Sequence, residues 1–397
     1  MNAAAASGGV PFNPAMLRWA REWRGRSPEE AGRKVNKAAN DILAWERGDK
    51  RPTVKQARTL ADFYERPFVE FFLSDPPDLP PLAEVPDFRL YKDPNHSADE
   101  RELGLIQAWA EEQRLNALDL LSMIGEPPPS FPDELRFTTH DRADHAAAKA
   151  RARLAFPIEE QMALRAKGPE ALPPVLRRKM EAVGVLTLKR TDLAKFGARG
   201  MCLALFPLPV VMFASEAPAA QAFTLGHELG HVLLRQSAIS GAVPKRGGPA
   251  AVRAVEEWCD RFAAAFLIPE AALFLVKPRP DHPSDTISDE DLAVLAKRFG
   301  VSRHAMLVRL THLGYVSSSY YWDVKRPEFV AEEREHQSFG RATYYGSRYR
   351  NQKGDFYTAL VLDALSSGAI TNHNAAEFMG IKNLRHLNDV RDWFGRA

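Results

Sequence analysis

The strongest constraint on this chain is the segment 221–235, QAFTLGHELGHVLLR, which carries two histidines and a glutamate on one helical stretch. On an α-helix His227 and His231 lie four residues apart, so both imidazoles project from one face and can converge on a single cation. Glu228 follows directly beside that position. The segment therefore predicts a metal site with a carboxylate next to it.

Zinc is the metal that this pattern favours, because it binds imidazole nitrogen at about 2.0–2.1 Å in a tetrahedral site. Two histidines leave room for a third protein ligand and a water. We predict Glu256, in the stretch VEEWCDRFAAAFLIP, as that third ligand. Asp260 lies one helical turn later and is expected to orient a metal-bound histidine. Glu257 and Asp260 are the alternative ligands.

Five-residue patterns of this kind also arise by accident, and the two histidines would then be solvent-facing residues of an amphipathic helix. Gly226 and Gly230 argue against that reading. A glycine inside a helix costs about 1 kcal/mol relative to alanine, which is tolerated where something approaches the backbone closely. Apolar neighbours on both sides of the histidines also predict a buried helix.

Composition excludes several classes of protein. A chain of 397 residues with 45% hydrophobic residues is expected to fold into two or three globular domains. The formal net charge is only +2, so a nucleic-acid role must depend on local patches. Two cysteines are too few for a disulfide framework and suit a cytoplasmic protein. Neither a secretion signal nor a membrane-spanning run is indicated.

The N-terminal region, residues 13–73, carries the start and stop signals of five short helices. Asn13 precedes Pro14, the stretch SPEE at 27–30 forms a capping box, and Thr53 forms another with Gln56. A tight turn at residues 35–37 would set two helices at the angle of a helix-turn-helix. The preceding residues 1–12 are expected to form a disordered tail.

This region resembles the lambda-repressor-like (XRE) helix-turn-helix family, whose motif runs into a Glu-x-Gly-x-x-x-Pro pattern, here ERGDKRP at 46–52. The resemblance implies a recognition helix over residues 38–45. Residues 18–58 contain twelve basic and six acidic side chains, which suits phosphate contacts, and Asn40 could read adenine. A protein-docking module of the same shape is the alternative. The predicted DNA contacts are Lys37, Asn40, Asp41, Arg47, Lys50 and Arg51.

The rest of the chain is predicted to be α+β and mostly helical. A proline-rich linker at 74–90 precedes a zincin-like domain at 91–317 that contains a small β-sheet. Three β-rich runs, 185–189, 201–206 and 209–214, precede the metal helix. The third could serve as an edge strand that pairs with an extended substrate, and an ordinary core hairpin is the alternative. A helical C-terminal domain at 318–397 is expected to act in sensing or substrate docking.

The segment from about residue 87 to 315 resembles the ImmA/IrrE family of zincin-related metallopeptidases, which occur beside or fused to XRE-type domains in bacteria and phages. The resemblance rests on FTLGHELGHVLL, on Glu256-x-x-x-Asp260 running into LIP, and on LAKRFGVSRHAMLVRL, in that order. It implies a Zn²⁺ cofactor held by His227, His231 and Glu256, with Glu228 catalytic. It also implies stress-related transcription regulation, with a transcriptional repressor or antitoxin as the protein substrate.

We therefore expect a cytoplasmic zinc endopeptidase that cleaves a partner repressor or antitoxin and binds DNA through its N-terminal domain. The alternative is a DNA-binding regulator or a toxin–antitoxin component whose zincin domain hardly cuts. The oligomeric state stays open, a dimer being one option.

Overall fold

The computed structural model describes residues 12–64, 66–76, 85, 97–241, 250–335 and 345–394. The chain divides into two compact units, residues 1–83 with 94–105 and residues 84–93 with 106–397. Most of the predicted tail (1–12) and of the predicted linker (74–90) lies outside the described residues.

The first unit contains the five predicted helices, of which the fifth is a 3-10 helix. They are α1 (Pro14–Trp23), α2 (Pro28–Val35), α3 (Ala39–Arg47), α4 (Val54–Tyr64) and the 3-10 helix Phe68–Phe72. Their apolar faces form one core, made by Phe12, Leu17, Ala20, Ala31, Ile42, Trp45, Ala57, Leu60, Ala61, Tyr64 and Phe71.

Local capping explains where these helices begin. Asn13 Oδ1 accepts a hydrogen bond of 3.0 Å from the Ala15 amide, and the Ser27 and Thr53 capping boxes are both formed. The turn between α2 and α3 passes through Asn36, which has a left-handed φ of 53°. Phe12, expected in the tail, is buried against the 3-10 helix, so the fold begins at least one residue earlier than predicted.

The second unit is mostly helical with a four-stranded sheet among its described residues, which confirms the predicted fold class. Helix α5 (Ser97–Met123) contributes to both units. The other helices are α6 (Ala143–Arg153), α7 (Ile158–Leu164), α8 (Leu172–Ala182), α9 (Pro218–Leu234), α10 (Ala250–Leu267), α11 (Glu270–Val276), α12 (Asp289–Phe299), α13 (Arg303–His312), α14 (Arg326–Glu335), α15 (Tyr345–Lys353), α16 (Asp355–Ser366), α17 (Asn372–Met379) and α18 (Arg385–Phe394), with a π-helical turn at Tyr320–Lys325. No helix among the described residues is long and apolar enough to span a membrane.

The sheet has the order β1-β3-β2-β4, with β1 (Leu186–Lys189), β2 (Ala198–Leu203), β3 (Val210–Phe213) and β4 (Ala238–Gly241). β1 pairs with β3 in parallel, and β2 pairs with β3 and β4 antiparallel. β3, which we expected to be a substrate-binding edge strand, is therefore central. That prediction is wrong because both sides of β3 are already paired.

The second strand also differs from its prediction, since β2 begins three residues before the predicted run and ends at Leu203. The carbonyls that follow it bond to a side chain instead of a strand: the Arg114 guanidinium donates to the carbonyls of Leu205, Pro207 and Leu208. β4 was not predicted.

The C-terminal helices pack on the same unit as the sheet, α15 against β1 and α16 against α8. A buried polar network joins them. The Glu181 carboxylate on α8 accepts hydrogen bonds from the amides of Asp355 (3.1 Å) and Phe356 (2.9 Å), and Arg177 donates to the Asn351 carbonyl at 2.7 Å. The two hydrogen bonds to Glu181 hold the N-terminal end of α16 against α8.

Candidate metal centre and helix-turn-helix surface

Three buried side chains from two helices converge at one point. The Nε2 atoms of His227 and His231, both on α9, are 3.2 Å apart. On α10, Glu256 places one carboxylate oxygen 3.1 Å from His231 Nε2 and the other 3.5 Å from His227 Nε2. Among the described residues this group could hold a metal ion.

The separations leave these three residues close enough to share one cation. Bonds of about 2.0–2.1 Å at the tetrahedral angle place ligand atoms about 3.3 Å from one another. The two Nε2 atoms are 3.2 Å apart, the two histidines lie 3.1 and 3.5 Å from different oxygens of Glu256, and one ligand atom from each of the three residues lies within 4.8 Å of the other two. Burial by itself raises the pKa of Glu256, but the two adjacent imidazoles, His227 foremost, lower it to about 2. The group that the structure offers to a cation is thus two imidazoles and a carboxylate.

The two alternative ligands lie elsewhere. Asp260 Oδ1 is 2.9 Å from His227 Nδ1, so it holds the far side of that ring and leaves Nε2 turned towards the other donors. Glu257, the next residue on α10, is rotated about 100° round the helix from Glu256 and is exposed. The structure therefore brings together the predicted ligands His227, His231 and Glu256 and places Asp260 in contact with His227.

Glu228 is fully buried beside this group, and neither of its oxygens makes a hydrogen bond of good geometry. Burial raises its pKa to about 8; Glu256 acts in the same direction, and His227 and Ser240 act in the opposite one. A cation next to the carboxylate would favour its ionised form. Buried polar groups nearly always have a hydrogen-bond partner, so a buried carboxylate without one indicates that its partner is a bound molecule or ion.

The space for Glu228 is provided by Gly200 on β2. A Cβ atom at position 200 would lie 2.2 Å from Glu228 Oε1, so any other residue there would collide with the carboxylate. The sequence carries no local signal for this pairing, because 28 positions separate the two residues and only the sheet brings them together.

The two helical glycines allow α10 to approach α9 closely. At Gly230 a Cβ would lie 3.1–3.3 Å from three atoms of Cys259, tighter than most real contacts, whereas at Gly226 it would meet Ala263 at an ordinary 3.4 Å. The two glycines predicted a close approach to the backbone of the metal helix, and the element that approaches it is α10, which carries Glu256. Close helix packing is what places the carboxylate within reach of both histidines.

The C-terminal end of α10 is held by three buried polar side chains from other helices, which satisfy backbone carbonyls that a helix end leaves free. Two arginines among them also complement the helix dipole. The pairs are Arg151 to the Phe266 carbonyl at 2.6 Å, Gln161 to that of Leu267 at 2.8 Å, and Arg309 to that of Ile268 at 2.9 Å. Arg309 belongs to α13, so that helix packs against the C-terminal end of α10.

In the first unit, the pattern ERGDKRP has a structural explanation. Glu46 forms a two-point ion pair with Arg21 on α1, with distances of 2.6 and 2.9 Å, and both side chains are nearly buried. Gly48 ends α3 with a left-handed φ of 84°, and Pro52 is buried. These residues fix α3 against α1.

The predicted DNA contacts lie on or just beside α3. Asn40 is exposed on the first turn of α3, Lys37 is exposed in the turn before it, and Arg51 is exposed after it. Leu43, one turn after Asn40, is half-buried. This face is available to a partner.

The other predicted DNA contacts pair with acidic neighbours. Lys50 Nζ lies 3.2 Å from Asp41 Oδ1, and Arg47 Nε lies 2.8 Å from Asp49 Oδ2. Exposed pairs of this kind contribute only about 0–1 kcal/mol, so a phosphate could replace the carboxylate.

The stretch 336–353 is rich in Arg and Tyr, a composition that suits stacking on bases or a nucleotide and equally a protein interface, and it lies partly outside the described residues. In its described part Arg350 forms a two-point ion pair with Asp355, and Lys353 is buried against Gln113. Both cations are therefore engaged within the protein.

Two regions of the chain match models of known protein families. Residues 190–311 match the family described as the IrrE N-terminal-like domain of peptidase family M78, and residues 17–71 match a helix-turn-helix family. The first match spans α9 and α10 with every donor described above, and the second spans α1 to α4. No curated protein and no solved structure matches the chain. The chain thus joins an XRE-type helix-turn-helix domain to an IrrE N-terminal-like domain of the M78 metallopeptidase family.

Proposed function

We propose that this protein is a zinc-dependent endopeptidase that cleaves a partner transcriptional repressor or antitoxin. The observation that carries the proposal is the convergence of His227, His231 and Glu256, whose ligand atoms lie within 4.8 Å of one another, with the Glu228 carboxylate buried beside them. The match to the M78 family supports the reaction type.

Zinc would be held by the Nε2 atoms of His227 and His231 and by the Glu256 carboxylate. Bound there, zinc supplies Lewis acidity that polarises a scissile carbonyl and makes water a better nucleophile near neutral pH. Asp260 keeps the His227 ring in the orientation and tautomer that present Nε2.

Glu228 acts as the general base and then as the general acid. Its carboxylate takes a proton from the attacking water and delivers that proton to the leaving amine. Gly200 leaves the room in which this carboxylate sits.

The peptide would lie along β4. This strand pairs only with β2 in the described sheet, so its other side can accept an extended chain by β-augmentation. Ser240 on β4 lies 3.5 Å from His231 Nε2, which brings this edge to the metal site. The substrate-binding edge is therefore β4 in place of β3.

The test is incubation of the purified protein, with and without zinc, with the repressor encoded next to it, followed by mass spectrometry of the products. Glu228→Gln should keep zinc and lose cleavage. Glu256→Gln should lose zinc, whereas Glu257→Gln, at the exposed neighbouring position, should keep both zinc and activity. Full activity of Glu228→Gln would end the proposal.

The second candidate is a DNA-binding regulator whose zincin domain senses a ligand or holds a partner, or a toxin–antitoxin component that does not cut. Burial of the site favours it: His227, the most exposed of the four residues, is only 7% exposed. It predicts specific DNA retention by residues 13–73, with Asn40→Ala weakening it, and an intact partner after long incubation with zinc.

A further inference from the structure

Ser240 is brought to the metal site by the register of β2 and β4. Gly200 and Ser240 are direct partners in this antiparallel pair, and the register shifts between Ala198 and Gly200. This bulge leaves Arg199 as the extra residue, and its side chain instead pairs with Glu216 at 3.3 Å. Bulges re-aim side chains in this way. As a result Gly200 and Ser240 lie side by side on one face of the sheet, the face that carries the Glu228 carboxylate.

The Glu228 carboxylate fills the space that Gly200 leaves. Its Oε1 lies 2.2 Å from where a Cβ of residue 200 would be, and directly opposed Cβ positions are about 4.5–5.5 Å apart. The Ser240 side chain is therefore next to the carboxylate. No hydrogen bond joins the Ser240 hydroxyl to the carboxylate in this structure, where both Glu228 oxygens are buried without a hydrogen-bond partner in the described part of the chain. Such contacts commonly tighten only in the working complex.

The hydroxyl proton has two acceptors within reach. Ser240 Oγ is 3.5 Å from His231 Nε2, and its strand partner Gly200 is the residue against which the Glu228 carboxylate lies. A serine hydroxyl carries a single proton. When His231 uses the Nε2 lone pair to bind a metal, that nitrogen no longer accepts a hydrogen bond. The proton is then left for Glu228, neither of whose oxygens has a hydrogen-bond partner among the described residues.

We propose that Ser240 is the positioning residue that holds the Glu228 carboxylate towards the metal by donating a hydrogen bond to it. The inference rests on the proposed function, since Glu228 matters as a base only if the site cuts peptides. It assigns β4 a second role besides lining the substrate: the strand carries the group that orients the base. Ser240 is 3% exposed, so solvent does not compete for this proton.

The kinetic test compares Ser240→Ala with Ser240→Thr, which keeps a hydroxyl. The alanine variant should lower kcat about 10- to 100-fold with KM unchanged, because misplacing a reacting group by up to 1 Å costs about 100-fold. The threonine variant should recover most of that loss. Ser237→Ala is the matched control: its hydroxyl lies on the approach to β4 and accepts a bond from the Ala204 amide, away from the site.

Two readouts do not need turnover. The zinc dissociation constant, from chelator competition, should change less than about threefold in Ser240→Ala, with the visible spectrum of the Co²⁺-loaded protein unaltered. The Tm shifts of Ser240→Ala and Glu228→Gln in the zinc-loaded protein should be non-additive in the double variant, as expected for residues in contact.

Wild-type kcat in Ser240→Ala, or additive Tm shifts, would overturn the inference. A more than tenfold loss of zinc affinity with a changed Co²⁺ spectrum would also overturn it, because Ser240 would then be a ligand. If the wild-type protein cuts nothing, the proposed function fails, while the Tm comparison still decides whether Ser240 holds Glu228.

Discussion

Replacing Gly200 by alanine places one methyl group against the proposed general base. The new Cβ would lie 2.2 Å from Glu228 Oε1, 2.6 Å from its Cδ and 2.7 Å from its Cγ. Real Cβ contacts are essentially never shorter than 3.0 Å, and ordinary contacts begin at 3.4 Å. The carboxylate must therefore move by about 0.8 to 1.2 Å (3.0 − 2.2 and 3.4 − 2.2).

A displacement of about 1 Å at a reacting group costs about 100-fold in rate. This corresponds to about 2.7 kcal/mol of transition-state stabilisation. The methyl group is aimed at Glu228 and not at the three proposed ligands, so zinc should stay bound. We expect Gly200→Ala to lower kcat about 100-fold with one zinc per chain retained, as measured by cleavage kinetics on the partner protein and by metal analysis.

Gly226→Ala is the matched control, since its Cβ would meet Ala263 at an ordinary 3.4 Å. Alanine is about 1 kcal/mol better than glycine in a helix, so this variant should keep its activity and should not lose stability. A Gly200→Ala protein that keeps zinc and cuts at the wild-type rate would refute the reasoning, because the position of the Glu228 carboxylate would then not matter.

Four further outcomes are expected. Removing the metal with a chelator should lower Tm, because zinc at 100 times its dissociation constant adds about 2.7 kcal/mol to the free energy of unfolding; an unchanged Tm in calorimetry would contradict the site. Gly230→Ala should push α10 away by a few tenths of an ångström at Cys259 and weaken zinc binding in chelator competition, unlike Gly226→Ala. Glu46→Ala should destabilise the first unit by about 1.5–3 kcal/mol in urea unfolding, since it removes the two-point ion pair and leaves the nearly buried Arg21 with Glu22 at 3.5 Å and the Arg26 carbonyl at 2.9 Å. Burial lowers the pKa of Lys353 from 10.5 to about 7. Between these two pH values the unfolded chain binds more protons than the folded protein, so the free energy of unfolding should rise with pH by up to about 1.4 kcal/mol per pH unit. Lys353→Met should lack this slope when unfolding is measured at pH 7, 8 and 9.

Features with a local chemical cause could be predicted from the sequence. The helix starts at Asn13, Ser27 and Thr53 follow from side chains that bond to amides two or three residues away. His227 and His231 needed only the helical repeat to be placed on one face. The downstream Glu256 with Asp260 four residues later could be found for the same reason.

Features that depend on contacts across the chain could not be predicted. The strand β4, with the sequence AISG, has small residues and no apolar alternation, so it shows no strand signal. The central position of β3 follows from pairing on both sides, which a single run of Val and Phe does not reveal. The contact between Gly200 and Glu228 requires the sheet order, the register and the bulge together.

The anchoring of α16 through Glu181 has a consequence for any attempt to trim the protein to its peptidase region. Glu181 is almost completely buried and receives the first amides of α16, and α15 packs on β1. A chain ending at residue 317 would keep that carboxylate in the interior without those donors, and β1 would lose the helix beside it. Exposed strands recruit other chains. Loss of the last helices, by truncation or by a cellular protease, would therefore favour aggregation over a smaller working enzyme.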